Sequence, residues 1–449
     1  MYFLYSFLLT IGLILASPLL ILDAIRKGKY VTGLGQRLGK LPSINSEGAA
    51  VIWLHCVSVG ETAAARTLVN TLAKTFPSHQ IAISTTTITG QDVARRIFAD
   101  RAAAIFYFPI DWAWTVRRVL RTLNPAVVLV METELWPRLF HECRRRDIPV
   151  VLVNGRISNR SFPRYKFVRP FMREVLNDLT LALAQSEQDS RRLRELGLPA
   201  TKIRTTGNLK FDTAETAVDE QTLDSLQRQF GLDGTRSVIV AASTHDPEER
   251  LLIEACRGII NEKRARLIIA PRHPERFEAI ASLVKESQLS CGRRSQDRPT
   301  DRDSEVILLD TVGELNSVYS LADIAFVGGS ITPHGGHNVL EPAARAVCVV
   351  TGPHTENFSA VTNALLDDGA IIQLPESPAA QTAAQLAAVL NDLLGDETRR
   401  RDLGKKAQAV CRQNAGATDR TVAAIAQVMS QSLRHDVPTP VSLPASAFK

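Results

Sequence analysis

Short apolar runs alternate with helix-patterned segments along most of this chain, and they do so in two successive series. The first series contains Val51–Leu54, Ile81–Ile83, Ala104–Phe108, Ala126–Val130, Val150–Val153 and Leu181–Ala184. The second contains Val238–Ala241, Leu267–Ile269, Val306–Leu308, Ile324–Val327 and Val347–Val350. Runs this short and continuously apolar predict strands covered on both faces, hence parallel sheets flanked by helices. Between the series, Thr213–Gly234 is polar and acidic and has helical period. The pattern predicts an α/β protein of two tandem Rossmann-like domains, at 45–212 and 235–434, bridged by 213–234. A Pro- and Ser-containing tail follows at 435–449. With 449 residues the chain is long enough for two separate cores.

The N-terminus adds a different element. Tyr2–Leu22 carries no charge and is rich in Leu, Ile and Phe, and Arg26, Lys27, Lys29, Arg37 and Lys40 follow it. The length suits a membrane-anchor helix over 1–25. Basic residues on its C-terminal side predict that the body stays on the cytoplasmic face of the inner membrane. A secretory leader would place its positive charges first and a small-residue cleavage site afterwards, which argues against cleavage. A helix lying in the interface is the rival expectation. Gly33-x-Gly35 follows basic residues rather than a strand and is not a dinucleotide fingerprint.

In doubly wound sheets, ligands bind outside the carboxyl ends of the strands, where the strand order reverses. Two such sheets predict one substrate on each side of a cleft. The notable turns of this sequence fall at strand ends. Phe326–Pro342 reads FVGGSITPHGGHNVLEP, a strand, a glycine loop and a helix beginning near His337-Asn338. Free N–H groups in a helix's first turn favour a phosphate, so this stretch predicts a donor-nucleotide seat; a Gly-rich turn without a ligand is the alternative. Glu61 follows HCVSVG and opens a helix, where it is either a general base or an N-terminal helix carboxylate. Glu132 and Glu134 end the fourth strand and point the same way. A carboxylate beside Glu61 would raise its proton affinity; otherwise one of the two caps the next helix. Lys210 in GNLKFD either reaches a donor anion or is a solvated lysine. Arg272, in the turn Pro271-Arg-His-Pro274, suits a phosphate.

Composition narrows the partners. The net charge of +6 suits an anionic ligand, but no long basic stripe interleaves with aromatic residues, so nucleic acid is not an expected partner. The six cysteines are scattered without a CxxC pair, and His245, His273, His334 and His337 lack a metal-binding spacing. Neither metal nor cofactor is expected. Arg156, Arg160, Arg164, Lys166, Arg169 and Arg173 alternate with Phe162, Phe167 and Phe171; the run is either a solvated helix face or a contact for anionic lipid.

The segments HCVSVGE, STTTITGQ, METELWP, NGRIS, GNLKFD, STHDPEE, PRHPERF, DTVGEL and GGSITPHGGHNVLEP, in order over about residues 50 to 360, resemble the 3-deoxy-D-manno-octulosonic acid (Kdo) transferases of lipid A assembly. The resemblance implies a glycosyltransferase B-type fold, CMP-Kdo as donor and the tetraacyl lipid A precursor, lipid IVA, as acceptor, in lipopolysaccharide biosynthesis. It implies Glu61 as the proton acceptor and Glu132 and Lys210 as transition-state stabilisers. It implies CMP binding by Pro271, Arg272, Val312, Gly313, Glu314, Asn338, Val339, Leu340 and Glu341. The alternatives are another nucleotide-sugar enzyme of this fold, such as an epimerase, and a membrane-tethered nucleotide-sugar-binding protein. The first has no need of a lipid anchor, and the second none of Glu61, Glu132 and Lys210 together.

Overall fold

In a computed structural model, which describes residues 1–27, 32–42, 48–213, 219–262 and 264–435, the chain divides into two α/β units. The first comprises Met1–Asp212 together with the segment from Gly416 onwards, and the second Thr213–Ala415. The first sheet contains β1 (Val51–His55), β2 (Gln80–Thr85), β3 (Ala102–Tyr107), β4 (Pro125–Met131), β5 (Val150–Gly155), β6 (Leu181–Ala184) and β7 (Ile203–Thr205). All are parallel, in the order β3-β2-β1-β4-β5-β6-β7. The second contains β8 (Ser237–Thr244), β9 (Ala265–Pro271), β10 (Cys291–Arg293), β11 (Val306–Leu308), β12 (Ile324–Val327), β13 (Cys348–Thr351) and β14 (Ile372–Gln373). It too is parallel, in the order β10-β11-β9-β8-β12-β13-β14. The strand order reverses between β1 and β4 in one sheet and between β8 and β12 in the other.

Alternation along each strand builds two cores per sheet. Val51 and Trp53 pack with Phe106, Phe108 and Leu139 on one face, while Ile52 and Leu54 pack with Leu68, Leu72 and Phe98 on the other. In the second unit Ile239 and Ala241 join Leu252, Ile259 and Leu386, and Val238 and Val240 join Phe230 and Tyr319. Full burial of a Val, Leu, Ile or Phe side chain contributes about 1.5–3 kcal/mol, so strands apolar on both faces are stable only with helices on both sides. The three strands without a sequence signal, β7, β10 and β14, are short and are positioned by pairing with β6, β11 and β13.

Two boundaries differ from those expected. Residues 213–234 are not simply a bridge: the helix Glu220–Phe230 buries Leu226 and Phe230 in the second unit's core. The chain end does not stay with the second domain. The helix Ala417–His435 packs Ala417, Val422, Ile425 and Val428 onto the core that contains Ala65, Leu68 and Leu72 of the helix Val59–Thr75. Asp212 fixes its start, accepting hydrogen bonds from Gly416 N at 2.7 Å and Thr418 N at 2.5 Å. Residues 436–449 of the expected tail, 214–218 of the expected bridge and Lys29 of the basic flank lie outside the described residues.

The membrane-anchor expectation also changes. Among the described residues no helix is long and apolar enough to cross a membrane. The helix Tyr2–Lys27 instead packs along the first unit by one side. Tyr2 stacks on His141 and its hydroxyl donates to Asp178. Arg138 Nε donates to Ser6 Oγ at 2.6 Å, and Trp112 Nε1 to Thr10 Oγ1 at 3.0 Å. The opposite side exposes Phe3, Leu4, Phe7, Leu8, Ile11, Ile14 and Leu15, at helical spacing.

Candidate functional site

In the first unit the carboxyl ends of β1 and β4 bring three acidic residues together. After β1, Ser58 caps the helix Val59–Thr75, accepting from Glu61 N at 3.4 Å. Glu61 turns back into this cap: Val57 N donates to one carboxylate oxygen at 2.8 Å and Ser58 Oγ to the other at 3.0 Å. The capping alternative is therefore real, and it also holds the carboxyl in one place. Only 7% of Glu61 is exposed. Burial, and then the charge of Glu132, push its pKa up from 4.5 to about 8, against the lowering effect of its bond to Val57. Glu134 adds further repulsion and is itself raised by burial and Glu132.

Glu132 follows β4 in a left-handed conformation, φ 55°, which is strained for a residue with a Cβ. Its N–H donates to Val153 O at 2.9 Å, which holds that turn on β5. Glu132 Oε1 lies 3.7 Å from Lys210 Nζ, both side chains about one-sixth exposed, so this lysine is not a freely solvated one. Asn154, the first residue of the NGRIS segment, sets the lysine loop. It is fully buried, has φ 55°, and its Oδ1 accepts from Leu209 N at 3.0 Å. Together these residues hold a high-pKa carboxyl beside an ion pair, the arrangement of a base that accepts a proton near neutral pH.

In the second unit the turns after β8, β9 and β12 meet at the strand-order reversal. The glycine loop differs from the expected anion seat. Its N–H groups are spent on a carboxylate of the protein itself: Glu248 Oε1 accepts from Ser330 N and Ile331 N, both at 2.9 Å. The other oxygen accepts from Gly329 N at 2.7 Å and His245 N at 3.0 Å. Glu248 is fully buried, and a Cβ on Gly328 would lie 2.7 Å from it. The sequence carries Glu248 within the STHDPEE segment, but the glycine-loop N–H groups it binds lie some eighty positions away.

The helix expected near His337 begins at Leu340 and ends at Ala344. Val339 and Leu340 are buried and anchor the start of this helix in the core. Asn338 Oδ1 accepts from Leu340 N, and Asn338 Nδ2 donates to Glu341 Oε1 at 3.0 Å. Burial raises the Glu341 pKa, and Asn338, Arg345 and Arg272 oppose that. Arg272 is exposed and its backbone N donates to Thr244 O at 3.0 Å, which ties the turn after β9 to β8. Glu314 is partly exposed and held within the protein: Arg294 donates to both its oxygens at 2.8–3.2 Å, and Thr311 donates to it. Arg294 had no motif to mark it. Of that segment, Val312 is 84% exposed and Gly313 has φ +98° with open space around it. Among the described residues, no group of three His, Cys, Asp or Glu side chains is placed to hold a metal ion.

Residues 32–213 match the family model described as 3-deoxy-D-manno-octulosonic-acid transferase (kdotransferase). The chain is 33% identical to the 3-deoxy-D-manno-octulosonic acid transferase of Haemophilus influenzae over 93% of its own length and 97% of that protein. It is 35% identical to the enzyme of the same name from Bordetella pertussis, over 84% of this chain and 87% of that one. A structure of a putative UDP-N-acetylglucosamine 2-epimerase from Listeria monocytogenes superposes with a TM-score of 0.55, covering 88% of this chain and all of that one, at 14% identity. The last likeness is one of fold: tandem parallel-sheet α/β units of the B-type glycosyltransferase kind.

Proposed function

The chain belongs to the 3-deoxy-D-manno-octulosonic acid (Kdo) transferases, glycosyltransferases of lipopolysaccharide biosynthesis, and from that premise we propose that it moves Kdo from CMP-Kdo to a hydroxyl of lipid IVA with inversion. The observation that carries this reading is Glu61, a buried carboxyl with its pKa raised to about 8 and two further glutamates acting on it. Glu61 takes the proton of the acceptor hydroxyl as that oxygen attacks the anomeric carbon of Kdo. The bond from that carbon to the phosphate oxygen breaks, and its electron pair leaves with CMP.

Positive charge is then most useful where negative charge grows. Lys210, oriented by Glu132, is the stabilising cation of the first unit. Arg272 is the phosphate partner of the second, with Pro271 placing it at the end of β9. The backbone around Val312-Gly313 and Asn338–Leu340 contacts the nucleotide, and Glu341 accepts from its hydroxyls. Glu314 supports the 312–314 turn through Arg294 rather than by touching CMP.

The lipid acceptor motivates a membrane location, on the cytoplasmic face of the inner membrane. The exposed apolar side of Tyr2–Lys27 and the exposed Phe167 within the basic run support contact with a lipid surface. The site roles are tested with Glu61→Gln. That variant should retain CMP binding and lose transfer; turnover at the normal rate would reject Glu61 as the base.

A further inference from the structure

We infer that the paired imidazoles of His245 and His337 form an oxyanion-binding element at the β8/β12 crevice, which takes up one proton when the anionic part of the donor binds. The inference rests on the reading of the second unit as the donor-binding one. The two Nε2 atoms are 2.8 Å apart, and the rings lie almost parallel, 6° between planes with centroids 5.1 Å apart. An N–H···N bond at this distance needs one protonated and one bare nitrogen. Two neutral rings meet that need with opposite tautomers. One added proton gives the pair a single positive charge, keeps the central bond, and leaves an N–H on both Nδ1 atoms. A second proton would set two N–H groups against each other. The pair therefore stores one proton and no more.

The surroundings keep that proton off until an anion arrives. His334 stacks on His245 at 4.4 Å and His273 meets it edge-on at 5.1 Å. Burial first, and then His334, His273, Arg272 and Arg276, lower the His245 pKa from 6.5 to about 4. Burial, Arg272 and the other three histidines do the same to His337. The nearby carboxylates are committed elsewhere. Asp246 and Glu249 pair with Arg276 at 3.3 and 3.1 Å, Glu275 lies 3.6 Å from His273, and Glu248 is bound to backbone N–H groups. An oxyanion seated among these groups offsets the positive field and makes protonation of the pair favourable.

The pair is also built into the fold. Glu248 fixes His245 through its N–H and the glycine loop through three more. At Gly329, φ +64°, a Cβ would sit 2.8–2.9 Å from the His337 ring, so a side chain there would push that ring off its partner. The ligand class is an oxyanion on a nucleotide sugar, either the phosphate or the sugar carboxylate.

The test is calorimetry of CMP binding, and separately of free Kdo, at pH 7 in buffers of differing ionisation enthalpy. Wild type is compared with His245→Gln and His337→Gln. The phosphate of CMP titrates near pH 6 by itself, and that contribution is common to all three proteins. The wild type should take up close to one proton more than either variant, and its Kd should rise with pH more steeply, approaching an extra tenfold per unit. An excess seen with CMP assigns the phosphate; an excess seen only with Kdo assigns the carboxylate. CMP binding with equal proton counts in all three proteins, for both ligands, overturns the inference and leaves the donor reading intact. A wild type that binds neither ligand overturns both. Should the variants fail to fold, nitrogen NMR of the wild-type imidazoles decides: both rings remaining neutral on saturation with each ligand overturns it.

Discussion

Glu61→Gln also tests the electrostatics of the first unit without reference to turnover. The amide keeps the geometry: its oxygen can accept from Val57 N, and its N–H₂ can donate to Ser58 Oγ. It cannot ionise. The folded pKa of Glu61 is raised from 4.5 to about 8, so the native state resists losing this proton. The resulting destabilisation is absent below pH 4.5, grows as pH rises, and levels off above about pH 8. At about 1.36 kcal/mol per pKa unit the shift sets a ceiling of ~5 kcal/mol, which relaxation and water entry reduce to roughly 2–4 kcal/mol. Urea unfolding of wild type and variant from pH 5 to pH 9 measures it. The variant should gain less than ~1 kcal/mol over wild type at pH 5 and roughly 2–4 kcal/mol at pH 9. Wild-type transfer should rise over the same interval as the base ionises. A stability difference that stays constant or shrinks with rising pH would refute the buried, carboxylate-crowded setting of Glu61.

Other expectations follow from contacts outside the reacting groups. Arg294→Ala frees Glu314 and loosens the 312–314 turn, so the donor KM should rise about tenfold, in line with loss of a charged hydrogen bond, with kcat little changed. Gly404→Ala reverses the usual helix rule: a Cβ would lie 1.9 Å from Ala346 O, so the change should cost about 1–3 kcal/mol in denaturant unfolding where propensity alone predicts a gain. Phe7→Asp combined with Ile11→Asp acts on the outward side of the N-terminal helix; it should leave the melting temperature nearly unchanged while vesicle sedimentation falls at least several-fold.

Much of this architecture is legible in the sequence because strands such as Val127–Met131 and Val151–Val153 must be apolar on both faces. β7, β10 and β14 are not legible, since two or three residues placed by a neighbouring strand need no apolar run of their own. The helix Ala417–His435 falls by position in the second series, but the unit it joins is decided by Asp212, two hundred positions earlier. The meeting of Glu61 with Glu132 is legible, because both follow strands at a reversal of strand order. The glycine loop shows the opposite limit. Its turn can be read from Gly328-Gly329, whereas the partner of the Gly329 and Ser330 N–H groups, Glu248, is set by tertiary structure. Arg294 lies in a charged stretch without a motif, and only its grip on Glu314 gives it a role.

The most direct measurement is mass spectrometry of the lipid after incubation of the full chain with CMP-Kdo and lipid IVA. A product heavier by whole Kdo units, formed together with CMP and absent when Glu61 is replaced by Gln, is the predicted result. Unchanged lipid IVA with active, CMP-binding protein would contradict the proposed donor–acceptor pair.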